Sequence, residues 1–334
     1  MRSNEFRTDA VLAMPHSGGC ACALHSRRLF GAALLAAGAS ACLPAAAQQA
    51  VLPSQPVPGA DTGLRSDVGK ESRFTKLVPA EQVEQAAAQQ YAQMKRAAAD
   101  QRALGPDQHP QVQRLRAIAQ RIVPYTEAWN PRAKGWRWEV NLLGGKELNA
   151  FCMPGGKIAF FHGILAQLQL SDDEVAAIMG HEVAHALREH ARERMGRTAA
   201  TRIGATVLSA FLGLGGAGDA LLNMGGQLLT LKFSRENESE ADIVGMELAA
   251  RAGYDPAAGV TLWQKMIAVG KGAPPQFMST HPSGATRIQD IQAKLPRVQP
   301  IYASADKPTR RFGPPPKAPA NGSTNGSANE TRGG

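Results

Sequence analysis

The feature that most constrains this chain is His181-Glu182-Val183-Ala184-His185, set inside a long apolar run that Ser171-Asp172-Asp173-Glu174 opens. Ser followed three residues later by Glu forms a capping box, so the spacing predicts one helix from Asp172 to about Arg192. On such a helix residues i and i+4 leave the same face about 6 Å apart along the axis, close enough for both imidazoles to hold one metal ion. Glu182 stands beside them without being aimed at the metal, which suits it to take a proton from a water activated there. With eight histidines in 334 residues, chance gives this five-residue pattern roughly 0.01 times per shuffled chain. Ala177, Ile178, Val183 and Ala184 make the segment apolar on several sides, so the helix is buried and its His and Glu need partners.

A catalytic zinc takes three protein ligands and leaves one position to water, so His181 and His185 require a third. Ser234-Arg235-Glu236-Asn237-Glu238-Ser239-Glu240-Ala241-Asp242 opens a second helical segment with Glu238 and Asp242 on one face. Glu238 can ligate the metal, while Asp242, one turn later, can accept the second N–H of a ligand histidine and fix its tautomer. Glu236 and Glu240 are rivals, and spacing alone does not exclude Glu240. Cysteine supplies no alternative: Cys20, Cys22 and Cys42 lie in or beside a leader, and Cys152 is alone in the body of the chain. Neither an intramolecular disulfide nor a cysteine-based zinc site is expected.

Around this centre the chain divides into four stretches. Ser26-Arg27-Arg28-Leu29-Phe30, an apolar run too short to span a membrane, and Pro44-Ala45-Ala46-Ala47 make residues 1–47 an export signal. The arginine pair resembles the twin-arginine export signal of bacteria, and Met14 would give a leader of more ordinary length. Cleavage after Ala47 into the periplasm is preferred over lipidation at Cys42. Residues 48–76, rich in Pro, Gln and Gly, are expected as a linker. Residues 77–295 carry the helical patterns, starting with a surface helix over 79–104 and another from Pro110 to Ala128. Three strand-like runs, Trp136–Leu143, Glu147–Met153 and Lys157–Phe161, are separated by Gly144-Gly145 and Pro154-Gly155-Gly156 and read as a small antiparallel meander. Residues 296–334 are expected as a disordered basic tail. The net charge of +9 lies mostly in the two ends, +2 in residues 1–47 and +4 in 296–334, which leaves too little for a groove that tracks nucleic-acid phosphates.

His-Glu-x-x-His followed by Ser-Arg-x-x-Glu-x-x-Ala-Asp closely resembles the gluzincin zinc metallopeptidases that include the CAAX prenyl endopeptidases, the HtpX membrane peptidases and exported bacterial quality-control proteases. The resemblance covers about residues 110–295 and selects Glu238 as the third ligand of a single Zn2+. Asn149-Ala150-Phe151-Cys152-Met153-Pro154-Gly155-Gly156 is similar to the family's edge strand, and Thr280-His281-Pro282-Ser283 with Arg287 to its His-Pro motif. That likeness implies an α+β, mainly helical, zincin-like metallopeptidase domain in which the small sheet sets an edge strand beside the active-site helix. It further implies that Asn149 and His281 stabilise the oxyanion, that Arg287 supports the site, and that Asn149, Ala150 and Phe151 line the substrate. His162 and Cys152 depart from the family's usual residues, and His162 is expected to be structural.

A strand edge beside zinc offers its backbone to an extended peptide, so unfolded or misassembled proteins of the bacterial envelope are the expected substrates. A chaperone-like zinc protein that holds such chains with little cleavage is the alternative. Ile203–Leu231 has Asp219 as its one charged residue, yet Gly213, Gly215, Gly216 and Gly218 divide it into runs too short to cross a bilayer. Two apolar helices near the active site are expected there, with association with a membrane or an assembly machine left open.

Overall fold

Ser171 starts the central helix as its sequence requires. Its hydroxyl accepts from the Glu174 N–H at 3.2 Å, and the Glu174 carboxylate accepts from the Ser171 N–H at 2.8 Å. The computed structural model describes residues 6–8, 63–201, 228, 231–270, 276–281 and 285–317. In chain order its helices are α1 (Ala80–Asp100), α2 (Pro110–Ile122), α3 (His162–Gln167), α4 (Asp172–Leu187), α5 (His190–Thr201), α6 (Arg235–Arg251), α7 (Ala258–Val269), α8 (Gln276–Thr280) and α9 (Ala285–Ser304). Between α2 and α3 stand β1 (Glu139–Leu143), β2 (Ala150–Met153) and β3 (Lys157–Phe161). The fold is therefore mainly helical with one small sheet, and α4 runs through its core with both faces buried.

The sheet is mixed, which corrects the antiparallel meander. Its order is β1-β3-β2: β2 pairs antiparallel with β3, but β1 pairs parallel with β3. Pro154-Gly155-Gly156 does make the β2–β3 hairpin, with Gly155 and Gly156 at φ of 81° and 76°, where only glycine sits without strain. The Gly144–Asn149 connection instead carries the chain past β3, and hydrophobic alternation cannot tell these two pairings apart. β2 is left at the end of the sheet, against α4.

Helix α4 ends at Leu187 rather than near Arg192. Glu189 takes a left-handed φ of 55°, and the Asn130 amide donates to the Leu187 carbonyl at 2.8 Å, so a new helix starts at His190. Helices α4 and α6 pack along their length and nearly touch at two glycines, where a Cβ on Gly180 would lie 2.5 Å from the Gly245 carbonyl oxygen. This contact lets the backbone that carries His181 approach the helix that carries Glu238 and Asp242.

Residues 63–76, expected as linker, belong to the packed body. Leu64 is fully buried, its N–H donates to Glu247 Oε2 at 2.6 Å, and Asp67 pairs with Lys294 and Arg297 on α9. Two short 3-10 turns, Arg65–Asp67 and Arg73–Leu77, are too brief to leave a periodic signal. The tail boundary moves as well. Helix α9 runs through Pro296 and Pro300 to Ser304, because buried Val298 and Ile301 anchor it across two positions that each disfavour a helix by about 3 kcal/mol. Beyond it, the Phe312 and Gly313 N–H groups donate to Asp172 at 2.8 and 3.1 Å, which straps residues 305–317 across the start of α4. The export signal beyond residues 6–8, residues 48–62 and 318–334, and the apolar run 203–231 apart from Leu228 and Leu231 lie outside the described residues. Among the described residues, no helix is long and apolar enough to cross a membrane.

Candidate metal centre

Three chain segments converge on α4. It presents His181 and His185, α6 presents Glu238 and Asp242, His281 follows α8, and Arg287 stands on α9. His181, His185, Glu238 and His281 are all buried, and one donor atom from each lies within 4.8 Å of the others. His185 Nε2 is 3.0 Å from His181 Nε2 and 3.4 Å from Glu238 Oε1, while His181 Nε2 is 3.5 Å from Glu238 Oε2. The mates of these atoms turn away from the centre: His181 Nδ1 faces Asp242 Oδ1 at 3.0 Å. Asp242 is in turn held by Arg287, whose Nη2 donates to Oδ1 at 2.8 Å and whose guanidinium lies 3.9 Å from the Trp263 ring centre.

This donor set fits a cation. Glu182 Oε1 is buried without a hydrogen-bond partner, Glu238 Oε2 lies 2.6 Å from Arg287 Nη1 without an aligned hydrogen bond, and two imidazole nitrogens face each other beside a carboxylate. Two histidines and one carboxylate on a buried helix pair are a donor set of the kind that holds a catalytic zinc. The electrostatics agree. Burial raises the Glu238 carboxyl, but hydrogen bonds from His181, His185 and His281 outweigh it and hold the group far below the usual carboxylate range. Burial also pushes His185 well below its ordinary value, which keeps a lone pair free for a metal. The Glu182 carboxyl is raised to about 7, chiefly by burial, with His281 opposing and the Glu238 charge assisting.

The structure brings together every residue singled out for the site. Asn149 sits at the start of β2 and accepts from the Ala150 N–H at 3.0 Å. With Ala150, Phe151, Glu182, His281 and Phe233 it lines one cleft. His281 stands closer to the donors than an oxyanion role alone requires, with Nδ1 3.0 Å from Glu238 Oε1 and Nε2 3.4 Å from Glu182 Oε1. The rival Glu240 is not among the donors; it pairs with Arg188 at 3.0 Å. His162 opens α3 away from the centre, edge-on to Phe6. Sequence reading missed His190, buried with Nδ1 2.9 Å from His185 Nδ1, and Phe233, whose ring stacks on His185 at 4.0 Å. The one sequence signal for His190 was a histidine five residues past His185, which a continuous helix would have turned elsewhere.

Two histidines one turn apart, a carboxylate from a second helix and a buried glutamate beside them define a zinc metallopeptidase site of the zincin kind. The chain belongs to peptidase family M48, whose sequence profile matches residues 109–295. The mitochondrial metalloendopeptidase OMA1 of Schizosaccharomyces pombe is 36% identical over 206 residues, 60% of this chain and 58% of that protein. Metalloprotease LoiP of Escherichia coli is 28% identical over 180 residues, 53% of this chain and 70% of LoiP. The beta-barrel assembly-enhancing protease of Escherichia coli is 26% identical over 176 residues, 50% of this chain and 36% of that protein. The chain spans less than two thirds of the OMA1 proteins of S. pombe, Arabidopsis thaliana and Saccharomyces cerevisiae.

Proposed function

We propose that this chain is a zinc-dependent endopeptidase of the bacterial cell envelope that degrades misfolded or unassembled proteins. The observation that carries the reading is one cleft in which Glu182, the donor residues His185 and His281 and the end strand β2 meet. His181, His185 and Glu238 would hold the zinc, which supplies Lewis-acid activation of a water and of the scissile carbonyl. Glu182 takes a proton from the attacking water and returns it to the leaving amine, a task suited to a carboxyl held near 7. His281 and Asn149 donate to the oxyanion, and Arg287 keeps Asp242 and Glu238 in place. The outer edge of β2 at Ala150 and Phe151 receives the substrate backbone, so extension of the chain matters more than its side chains. Folded proteins expose such segments only by local opening, which makes damaged or stalled envelope proteins the clients. The Arg27-Arg28 leader supports delivery to the periplasm, and the names of the two Escherichia coli relatives are compatible with work of this kind.

One observation favours the alternative, a zinc protein that holds unfolded chains with little cleavage: His281 lies within the donor set, where a fourth protein ligand would exclude water. The deciding experiment compares zinc content and casein hydrolysis for the chain from Gln48 and its Glu182→Gln variant. Both should bind about one zinc, and only the parent should cleave. Zinc binding without cleavage in either protein would favour the holding function.

A further inference from the structure

His190 is almost wholly buried at the start of α5, between a donor histidine and a carboxylate. Its Nδ1 lies 2.9 Å from His185 Nδ1, and its Nε2 lies 3.3 Å from Glu240 Oε2. Glu240 Oε2 also accepts from Arg188 Nε at 3.0 Å, and Arg188 Nη2 donates to the Gly69 carbonyl at 2.6 Å. The geometry fixes the direction of this chain of bonds. His185 turns Nε2 toward the donor set, so its ring proton sits on Nδ1 once Nε2 binds metal; this step rests on His185 being a ligand. Two N–H groups cannot face each other at 2.9 Å, so His190 Nδ1 is the acceptor and its own proton is on Nε2, facing Glu240.

We infer that His190 is a positioning residue for the metal centre, selecting the tautomer and orientation of His185 and passing its hydrogen bond on to Glu240. Asp242 does the same for His181 in one step, whereas His185 is reached in two. Phe233, stacked on His185, restrains the plane of the ring but cannot select which nitrogen carries the proton. The break of α4 before His190 is what makes the bridge: the left-handed turn at Glu189 brings the first residue of α5 back beside His185. Partners that orient a ligand histidine in this way typically tighten metal binding by about 10–100-fold.

The test is zinc release from the loaded full chain to a chromogenic chelator, together with the melting temperature of the zinc-free protein. His190→Phe keeps a ring in the space and removes the acceptor, so it should release zinc about 10–100-fold faster with an unchanged zinc-free melting temperature. His190→Gln can accept from His185 and donate to Glu240, and it should restore retention to within about threefold of the parent. Glu240 is partly exposed, so Glu240→Ala should fold even if His190→Phe does not, and it should also speed zinc release. Release at the parental rate from Glu240→Ala and from any folded His190→Phe overturns the inference, as does equal loss in His190→Phe and His190→Gln. His185→Ala separates the premise: zinc retained there at parental affinity overturns the ligand assignment itself, while loss of zinc upholds it.

Discussion

Glu182 and Glu238 are two buried carboxyls in one centre with opposite environments. Three histidines surround Glu238 and hold it ionised, whereas burial leaves Glu182 near 7. That asymmetry suits Glu238 to ligate a metal and Glu182 to act as a base, and Glu182→Gln should lower kcat by roughly 100- to 10,000-fold while one zinc stays bound. A variant with parental turnover would remove Glu182 from the mechanism. Another carboxyl titrates nearby. Burial and a hydrogen bond that the protonated Glu189 donates to Glu71 raise Glu189 from an ordinary 4.5 to about 7, while accepting that bond holds Glu71 low, so the pair keeps one proton near neutrality. Because the folded value of Glu189 lies above the unfolded one, its stabilisation is complete below about 4.5 and is lost as pH rises through about 7. Glu189→Gln removes that titration. Between pH 5 and 8 that shift corresponds to about 2.5 kcal/mol, which solvent screening at the exposed Glu71 side reduces to about 1 kcal/mol. The parent should lose that stability and the variant should not, read as melting temperature against pH. Parallel curves would mean that the shared proton contributes nothing.

At the scale of elements, the α4–α6 crossing decides whether the ligands meet at all. A methyl group at Gly180 would meet the Gly245 carbonyl at 2.5 Å, a backbone atom that cannot swing aside. Gly180→Ala should therefore destabilise the protein by about 1–3 kcal/mol and weaken zinc retention, measured by thermal melting and by chelator competition. Parental values for both would show that the two helices separate without consequence for the centre. The strap over α4 makes a second expectation. Asp172 is buried and accepts from Arg114 Nε at 2.6 Å as well as from the Phe312 and Gly313 N–H groups. Ending the chain at Ser304 removes two of these three donors, and the truncated protein should be less stable by about 2 kcal/mol in denaturant melts. Equal midpoints would make residues 305–317 an ornament on the surface.

At the scale of the whole molecule, the metal centre and the core are one structure. The donors come from α4, α6 and the residue after α8, and α9 locks them through Arg287, so the centre joins residues up to 106 positions apart. Removing it with a chelator leaves like-aligned buried donors facing one another. If zinc is present at about a thousand times its dissociation constant, its loss should destabilise the fold by about 4 kcal/mol, a fall in melting temperature on the order of 10 °C. Re-addition should restore it, and a melt indifferent to zinc would contradict a centre built into the core.

Much of this was written locally in the chain. The capping box at Ser171, the His181–His185 spacing and the placement of Glu238 and Asp242 on one helical face depend only on residues within a few turns of each other, and backbone periodicity reports such relations directly. The resemblance of those motifs carried the family and pointed to Glu238 as the third ligand. What the sequence could not report was everything settled by contacts between distant segments. Glu240 and Glu238 have similar local surroundings, and they part only because one meets the donor histidines while the other meets His190 and Arg188. The parallel pairing of β1 with β3 depends on which edge a connection passes, not on alternation. Residues 63–76 and 305–317 look like loose chain because they lack a period, yet they are held by single well-placed bonds to Glu247 and Asp172. The break at Glu189 belongs to the same class: helix propensity favoured continuation, and the packing that turned α5 back beside His185 exists only in the folded molecule.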